Sequence, residues 1–194
     1  MSKLTREDLY TLEAYSEMRD EYRKKVMAHK INRRLELGNH VLLTFEDKFI
    51  MQYQVQEMLK AEKIFESAAI EEELETYNPL IPDGSNWKAT LMIQYPDIEE
   101  RQRQLALLIG IEDLIWMQVE GFDKIYAIAD EDLERTNDVK TSAVHFMRFE
   151  LDQAMIAAAK SGANISAGVD HKNYQAVISP VASNLRDSLT ADLA

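Results

Sequence analysis

The N-terminal part of the chain repeats apolar residues with the period of an α-helix. Five apolar side chains follow one another at intervals of three or four residues: Leu12, Tyr15, Met18, Tyr22 and Val26. This spacing places them on one face of a helix. Thr5 followed by Asp8 is typical of a helix N-terminus, and no helix-breaking residue occurs before Gly38. The pattern predicts a first helix over roughly residues 6–36.

The next segment contains a short strand and a stretch whose pattern fits two structures. His40–Phe45 is rich in aliphatic residues and predicts a strand. In residues 47–56 the apolar positions alternate as in a strand and also recur with helical spacing, so both structures stay open. Helix formers dominate from Glu57 to Tyr77, which predicts a helix whose start lies between Asp47 and Gln56. Asn78-Pro79 and Pro82-Asp83-Gly84 then interrupt the chain.

After this interruption, short apolar runs alternate with helical segments. The predicted strands are Trp87–Tyr95, Leu114–Glu120, Lys124–Ala129, Ser142–Leu151 and Ile165–Val169. The predicted helices follow Pro96-Asp97 as far as Gly110, cover Gln153–Ser161, and follow Ser179-Pro180. This order resembles a ferredoxin-like split βαβ unit with one added strand.

We therefore predict an α+β fold in which long N-terminal helices pack on a mainly antiparallel sheet, built as an elaborated ferredoxin-like split βαβ unit. The length of 194 residues fits a single domain. Within it we expect a mainly helical part over residues 1–80 and a sheet-containing part over residues 86–194.

Composition excludes several classes of protein. The chain has no Cys, which excludes disulfide scaffolds, cysteine nucleophiles and thiolate metal sites. Its N-terminus lacks an apolar signal region, and no apolar run is long enough to cross a bilayer. The formal net charge of −12 opposes nucleic-acid binding. We expect a cytoplasmic protein that contacts neither nucleic acid nor membrane.

Basic residues are concentrated in one segment of this acidic chain. Seven Lys or Arg residues and two acidic residues lie between Arg19 and Arg34. If the first helix is continuous, five of them share about a 100° arc: Arg19, Arg23, Lys30, Arg33 and Arg34. The stripe could bind an anionic ligand or partner. Alternatively, it pairs with acidic segments of the chain itself, such as Glu71–Glu73 and Asp130–Glu134, or across a homodimer, and we favour this pairing.

Glu62 is a candidate catalytic residue because of its predicted surroundings. If residues 51–69 form a helix, Glu62 lies among Met51, Val55, Met58 and Phe65. An apolar environment raises the pKa of a carboxyl group and suits a general acid, a general base or a metal ligand. The structural alternatives are a buried ion pair with an Arg of the first helix, which is the commoner outcome, or a Glu at the end of the apolar stripe that extends to water.

The four histidines show none of the standard metal-binding spacings. His145 lies in a predicted strand, where a hydrogen-bonded core or edge histidine is expected, and it is the second candidate catalytic residue. His171 lies where a strand ends and a helix should begin. A metal site assembled in space would draw on Glu57, Glu62, His145 and His171.

Several short motifs together resemble one bacterial family. They are Lys3-Leu4-Thr5-Arg6-Glu7-Asp8-Leu9, Phe45-Glu46-Asp47, Gln54-Val55-Gln56-Glu57-Met58-Leu59, Tyr77-Asn78-Pro79-Leu80-Ile81-Pro82, Ala89-Thr90-Leu91, Lys140-Thr141-Ser142-Ala143-Val144-His145-Phe146 and Asp170-His171 through Tyr174. The family is the domain of unknown function 3501, and the resemblance extends over essentially the whole chain. It implies no reaction and no catalytic residues. The resemblance does imply which genes lie nearby, since family members are often encoded beside rubrerythrin-like di-iron proteins and cysteine-rich iron–sulfur oxidoreductases.

Two hypotheses of function follow. In the first, the protein is a non-catalytic accessory protein that docks an iron–sulfur oxidoreductase or a rubrerythrin-like di-iron protein through its basic stripe. In the second, it is an enzyme or sensor that binds a small anion or a metal through Glu62, an Arg of the first helix and a histidine. Because the sequence shows no recognisable set of catalytic residues, we favour the first hypothesis.

Overall fold

The first helix is shorter than the sequence predicts. In the computed structural model, which describes residues 2–194, helix α1 extends from Leu12 to Ile31. The capping interaction of Thr5 and Asp8 is present, but it belongs to a separate turn of 3₁₀-helix at Arg6–Asp8. At its other end α1 stops because strand β1 (Arg34–Leu37) alternates exposed and buried residues and directs Leu35 and Leu37 into the core. The predicted helix over residues 6–36 is therefore wrong at both ends.

The ambiguous stretch is helical. Strand β2 (Val41–Phe45) is followed by α2 (Lys48–Glu62), whose N-cap Asp47 accepts a hydrogen bond of 2.8 Å from Ile50 N. Helix α2 ends where Lys63 adopts a left-handed conformation with φ of 55°. A separate helix, α3, covers Ser67–Tyr77. The single helix predicted as far as Tyr77 is thus two helices.

The remaining elements follow the predicted order with one addition. They are β3 (Asn86–Ile93), α4 (Ile98–Leu107), β4 (Ile115–Val119), β5 (Ile125–Tyr126), β6 (Ile128–Ala129), β7 (Val144–Glu150), α5 (Gln153–Lys160), β8 (Ile165–His171), β9 (Tyr174–Ile178) and α6 (Ser183–Thr190). The addition is β9, which forms a hairpin with β8 where a helix was predicted to begin. The single strand predicted over Lys124–Ala129 is divided into β5 and β6, which belong to different sheets.

The strands form two sheets, ordered β1-β2-β3-β7-β6 and β5-β4-β8-β9. Every strand pairing in residues 2–194 is antiparallel. The α+β class and the antiparallel character are confirmed. The ferredoxin-like arrangement is wrong, since that unit is one sheet containing parallel neighbours.

The two sheets are joined on both sides of their common core. On one side a single run of chain forms β5 in the second sheet and β6 in the first, and Ala127 N between them donates to Ile115 O at 2.9 Å. On the other side Tyr174 of β9 donates a hydrogen bond of 2.6 Å from its hydroxyl to Leu37 O of β1. The same hydroxyl accepts one from His40 N at 3.0 Å.

Apolar side chains are divided among three clusters. The largest lies between the sheets and includes residues of α4, α5 and α6. Two smaller clusters lie among the N-terminal helices, one including residues of α2 and α3 and the other residues of α1 and α2. Strands β1 and β2 lie within residues 1–80 but pair into the first sheet, so the mainly helical N-terminal part also supplies two strands. No helix in the described part of the chain is long and apolar enough to cross a membrane.

Arg33 joins the end of α1 to the C-terminus of the chain. Its guanidinium is buried and lies 2.5 Å from Asp192 Oδ2. It also donates to Phe45 O at 2.9 Å and to Glu46 O at 3.0 Å. Burial raises the pKa of Asp192 to about 6, while the charge of Arg33 acts in the opposite direction. We call Arg33, Asp192 and the carbonyl groups of Phe45 and Glu46 the seam.

Candidate functional site

The structure separates the five basic residues of the predicted stripe. Arg19 donates from Nε and from one terminal nitrogen to the two oxygens of Glu57, at 2.7 and 2.6 Å. Arg33 is buried in the seam, and Arg34 belongs to a strand. Two of the five cations therefore pair inside the chain, as the sequence analysis favoured, but with other carboxylates than Glu71–Glu73 and Asp130–Glu134.

Four other cations of this segment form what we call the basic face: Arg23, Lys24, Lys30 and Arg34. Within residues 2–194, none of them has a carboxylate oxygen closer than 4.0 Å. Lys30 is half-buried and the other three are exposed. Met27 and Ile31 lie between them on α1, at successive intervals of four residues from Arg23, and are 37% and 68% exposed. The face therefore combines unpaired charge with exposed apolar area.

Glu57, a predicted metal ligand, is used in an ion pair instead. Besides Arg19, it accepts a hydrogen bond of 2.6 Å from the hydroxyl of the buried Tyr15. Hydrogen bonds from Arg19 hold the pKa of Glu57 at about 2, and the Tyr15 hydroxyl contributes in the same direction. These contacts link α1 to α2 and occupy both oxygens of the carboxylate.

The apolar surroundings predicted for Glu62 are not present. Glu62 is the last residue of α2 and is exposed, as is Phe65, at 72%. The prediction assumed one helix over residues 51–69, whereas the chain leaves the helix at Lys63. Glu62 therefore lacks the apolar environment from which its catalytic role was predicted.

His145 lies at the centre of a buried polar network. Its Nδ1 is 2.6 Å from Asp130 Oδ2, and its Nε2 is 2.9 Å from Thr141 Oγ1 and 3.0 Å from Ser142 O. An ionised carboxylate and a carbonyl oxygen are hydrogen-bond acceptors, so each side of the ring faces an acceptor. Glu112 Oε2 is 4.0 Å from Nε2 and accepts a hydrogen bond of 3.1 Å from Thr141.

This network has the composition of a nucleophile, a base and an orienting acid, but its hydrogen bonds differ from those of such a triad. A base must accept a proton from its nucleophile, whereas Nε2 of His145 also faces the Ser142 carbonyl oxygen at 3.0 Å, which can only accept a hydrogen bond. His145 and Thr141 are both fully buried. A cavity of about 640 Å³ opens beside them onto Glu112, Asp113 and Asp130, but neither His145 nor Thr141 lines it. The geometry favours the hydrogen-bonded core histidine that the sequence analysis expected.

His171 and the other predicted metal ligands lie apart from one another. His171 closes the β8–β9 hairpin, where its Nε2 lies 3.2 Å from Ile109 O and its Nδ1 accepts a hydrogen bond from Asn173 N. Among residues 2–194 there is no group of three or more His, Asp or Glu side chains that could hold a metal ion. Of the candidates for the second hypothesis, Glu62 is exposed, Arg19 pairs with Glu57 and His145 pairs with Asp130.

Comparison with known proteins decides the family. Residues 3–193 match the model of the protein family of unknown function DUF3501. The chain belongs to the DUF3501 family. It is also similar to a crystal structure of a novel protein of unknown function from Burkholderia pseudomallei K96243, determined at 1.90 Å resolution. The two sequences are 48% identical, the match covers 100% of both chains, and the TM-score is 0.94. No curated protein matches the sequence.

One buried carboxylate of this DUF3501 protein was not singled out from the sequence. Glu46 accepts a hydrogen bond of 2.7 Å from Thr90 Oγ1, while its other oxygen has no hydrogen-bond partner among residues 2–194. Burial raises its pKa, and the nearby charge of Lys30 opposes that rise. The Phe45-Glu46-Asp47 motif carried no signal for this burial, because Glu46 lies beyond the end of β2, where exposure is the usual expectation.

Proposed function

We propose that this DUF3501 protein is a non-catalytic cytoplasmic accessory protein that docks a redox partner through the basic face. The partner is an iron–sulfur oxidoreductase or a rubrerythrin-like di-iron protein with an acidic surface. The observation that supports this proposal is the set of unpaired cations around Met27 and Ile31 on the exposed side of α1.

Unpaired cations are unexpected on this molecule. The chain carries 34 acidic residues and 22 Lys or Arg residues, so acidic groups are abundant enough to pair its cations. Arg19 and Arg33 are paired in this way, whereas the basic face stays open to solvent. Complementary charge on a partner would accelerate association and fix its orientation.

The apolar residues beside the basic face supply the apolar centre that an interface needs in addition to charge. An interface commonly has an apolar centre surrounded by polar groups that remain partly solvated. Met27 and Ile31 are large exposed side chains, and Met27 lines a shallow depression together with Arg23, Lys24 and Asp20. Burial of these two side chains would stabilise a complex that the surrounding charges orient.

The type of partner follows from the family resemblance and from the composition. Family members are often encoded beside rubrerythrin-like and iron–sulfur proteins. The chain has no Cys with which to hold an iron–sulfur cluster itself. An accessory role for a protein that carries the metal is consistent with both observations.

The proposal is tested by binding of the purified chain to the rubrerythrin-like protein and to the iron–sulfur oxidoreductase of the same bacterium. The variant Arg23→Glu/Lys24→Glu is compared with Lys160→Glu/Lys172→Glu, which makes the same change in formal charge at exposed lysines elsewhere. We expect the wild type and the control to bind one of the two proteins, with affinity that falls as salt is added. The first variant should bind at least roughly tenfold more weakly.

Three results would overturn the proposal. The first is that the wild type binds neither redox protein, and the second is an equal loss of affinity in both double variants. The third is a salt-dependent homodimer, detected by analytical ultracentrifugation, that is lost in Arg23→Glu/Lys24→Glu, because the occupant of the face would then be a second copy of the chain.

A further inference from the structure

A cleft of about 650 Å³ lies at the opposite end of β1 from the basic face. Its walls come from the β1–β2 turn, from the segment that joins β3 to α4, from α4 itself and from the chain entering β7. None of the described residues that line it carries a carboxylate, although the protein as a whole has a formal net charge of −12. The cleft therefore differs in charge from most of the surface.

Arg101 is the cation of this cleft. One terminal nitrogen donates to Tyr95 O at 3.2 Å, which fixes the side chain. Within residues 2–194, Arg101 has no carboxylate within 4.0 Å, whereas Arg103 of the same helix pairs with Glu100. A guanidinium carries five N–H donors, so most of the donors of Arg101 are free for a ligand.

His40 supplies a flat wall and a second polar atom. Its ring stacks on Tyr95, with 4.0 Å between ring centres and 14° between ring planes. Nδ1 lies 3.0 Å from Gln94 O, and since a carbonyl oxygen can only accept, Nδ1 carries a proton. Nε2, which has no hydrogen-bond partner in the described part of the chain, accepts when the ring is neutral and donates when it is protonated.

The rest of the cleft is largely apolar. Met92 is half-buried and Val144 is 39% exposed, and both line the cleft together with Ile93 and Ala143. Small-molecule sites commonly combine apolar walls with a few convergent polar groups. Here the polar groups are one fixed guanidinium and one imidazole nitrogen.

We propose that this cleft binds a small organic carboxylate with a planar apolar body. The carboxylate binds Arg101, whose paired N–H groups match its two oxygens. The body of the ligand lies against Met92, Val144 and the outer face of the His40 ring. A single cation suits the single charge of a carboxylate, whereas a phosphate dianion commonly recruits more than one. The site shares no residue with the basic face, so it does not depend on the docking proposal.

The proposal is tested with benzoate as the probe, by titration into the ¹⁵N-labelled chain while the backbone amide spectrum is recorded. Benzamide, which has nearly the same shape without the charge, is the matched ligand. The Arg101→Gln variant is compared with Arg103→Gln, which removes one charge from the same helix. His40→Phe keeps an aromatic ring above Tyr95 but removes Nε2.

We expect benzoate to shift the amides of Gln94, Tyr95 and Val144 in a saturable way in the wild type and in Arg103→Gln. The affinity of Arg101→Gln for benzoate should be roughly tenfold or more below that of the wild type. The wild type should bind benzamide no more tightly than Arg101→Gln binds benzoate. The spectrum of each variant shows whether it remains folded. If Arg101→Gln does not fold, the ratio of benzoate to benzamide affinity in the wild type carries the test.

The proposal is overturned if benzoate causes no saturable shift at these amides, if benzamide binds equally well, or if a folded Arg101→Gln binds as the wild type does.

Discussion

Helices α1–α3 bury their apolar faces in two small clusters, whereas both sheets share one large core with α4, α5 and α6. The helical part is further held by polar contacts, such as Arg19 with Glu57 and Lys48 with Asp8. The sheet part also has ion pairs, such as Arg148 with Glu131 and Lys124 with Asp170, and it is closed on one side by the β5–β6 segment and on the other by Tyr174. The comparison teaches that the sheets share the largest apolar core, while the helices supply a charged surface that the seam joins to the C-terminal segment.

The largest effect is expected from breaking the seam. Arg33→Met should lower the free energy of unfolding by about 3–5 kcal/mol, because it leaves Asp192 buried without its cation. The measurement is urea unfolding at neutral pH. Arg34→Met, at the exposed neighbouring position, should change stability by about 0.5 kcal/mol or less. Replacing Asp192 by Leu as well should restore much of the loss.

Hydrogen exchange on the same variant sharpens the comparison between the two parts. Amides of α1 and α2 should exchange faster in Arg33→Met than in the wild type, while those of β3 and β7 change less. Equal acceleration in both parts would show that the seam does not separate two levels of stability.

An intermediate effect is expected in the sheet part from His145→Leu. This change leaves the carboxylates of Asp130 and Glu112 without the imidazole that lies between them. We expect a loss of about 2–4 kcal/mol in the free energy of unfolding. Exchange should accelerate at β7 and at the loop of residues 130–141, but not in α1. Acceleration confined to the helices would contradict the role assigned to His145.

The smallest effect is expected in the helical part from Glu57→Gln, and it depends on pH. The pKa of Glu57 is lowered from 4.5 to about 2 in the folded protein, so the charged carboxylate stabilises the fold at any pH above 4.5. As pH falls from 4.5 towards 2 the contribution disappears, because the unfolded chain takes up the proton first. With allowance for solvent screening, the variant should lose about 1–2 kcal/mol at neutral pH.

The check is urea unfolding of both proteins at several pH values. The difference between wild type and Glu57→Gln should shrink steadily below pH 4.5. Glu62→Gln is the matched control, since it removes an exposed carboxylate from the same helix. It should differ from the wild type by about 0.5 kcal/mol or less. A difference for Glu57→Gln that is independent of pH would contradict the ion pair.

The sequence predicts the order of most elements because their local signals agree with their environments. Asp47, Asp97 and Asp152 each accept a hydrogen bond from a backbone N–H three residues later, as helix caps do. Gly162 has a positive φ of 95° directly after the α5 C-cap, as expected from its position. Strands such as β3 and β7 alternate buried and less buried residues along most of their length.

The errors arise where tertiary contacts override local pattern. Residues 32–36 contain no helix breaker, yet β1 forms because Leu35 and Leu37 have a core to enter. Strand β9 was missed because its residues alternate only between half-buried and exposed. The basic face was only partly predictable, since the angular estimate placed Arg33 and Arg34 on a helix that ends at Ile31.

The partners of the candidate site residues could not be predicted, for a related reason. His145 could be interpreted as a core histidine from its strand, but its partners Asp130, Thr141 and Glu112 lie 15, 4 and 33 positions away in the sequence. No local pattern identifies such partners. Arg101 and His40 carried no signal either, because a cleft without carboxylates becomes visible only when distant segments meet.

The shared run of chain at β5 and β6 has a mechanical consequence. Because Ile125–Tyr126 is bonded into one sheet and Ile128–Ala129 into the other, a force that slides the sheets past each other loads both sets of hydrogen bonds through Ala127. For one sheet to shift against the other, the hydrogen bonds of β5 or of β6 would have to break. A force applied by a bound partner at α1 would therefore move the helices rather than the sheets. The cleft at Arg101 would keep its shape.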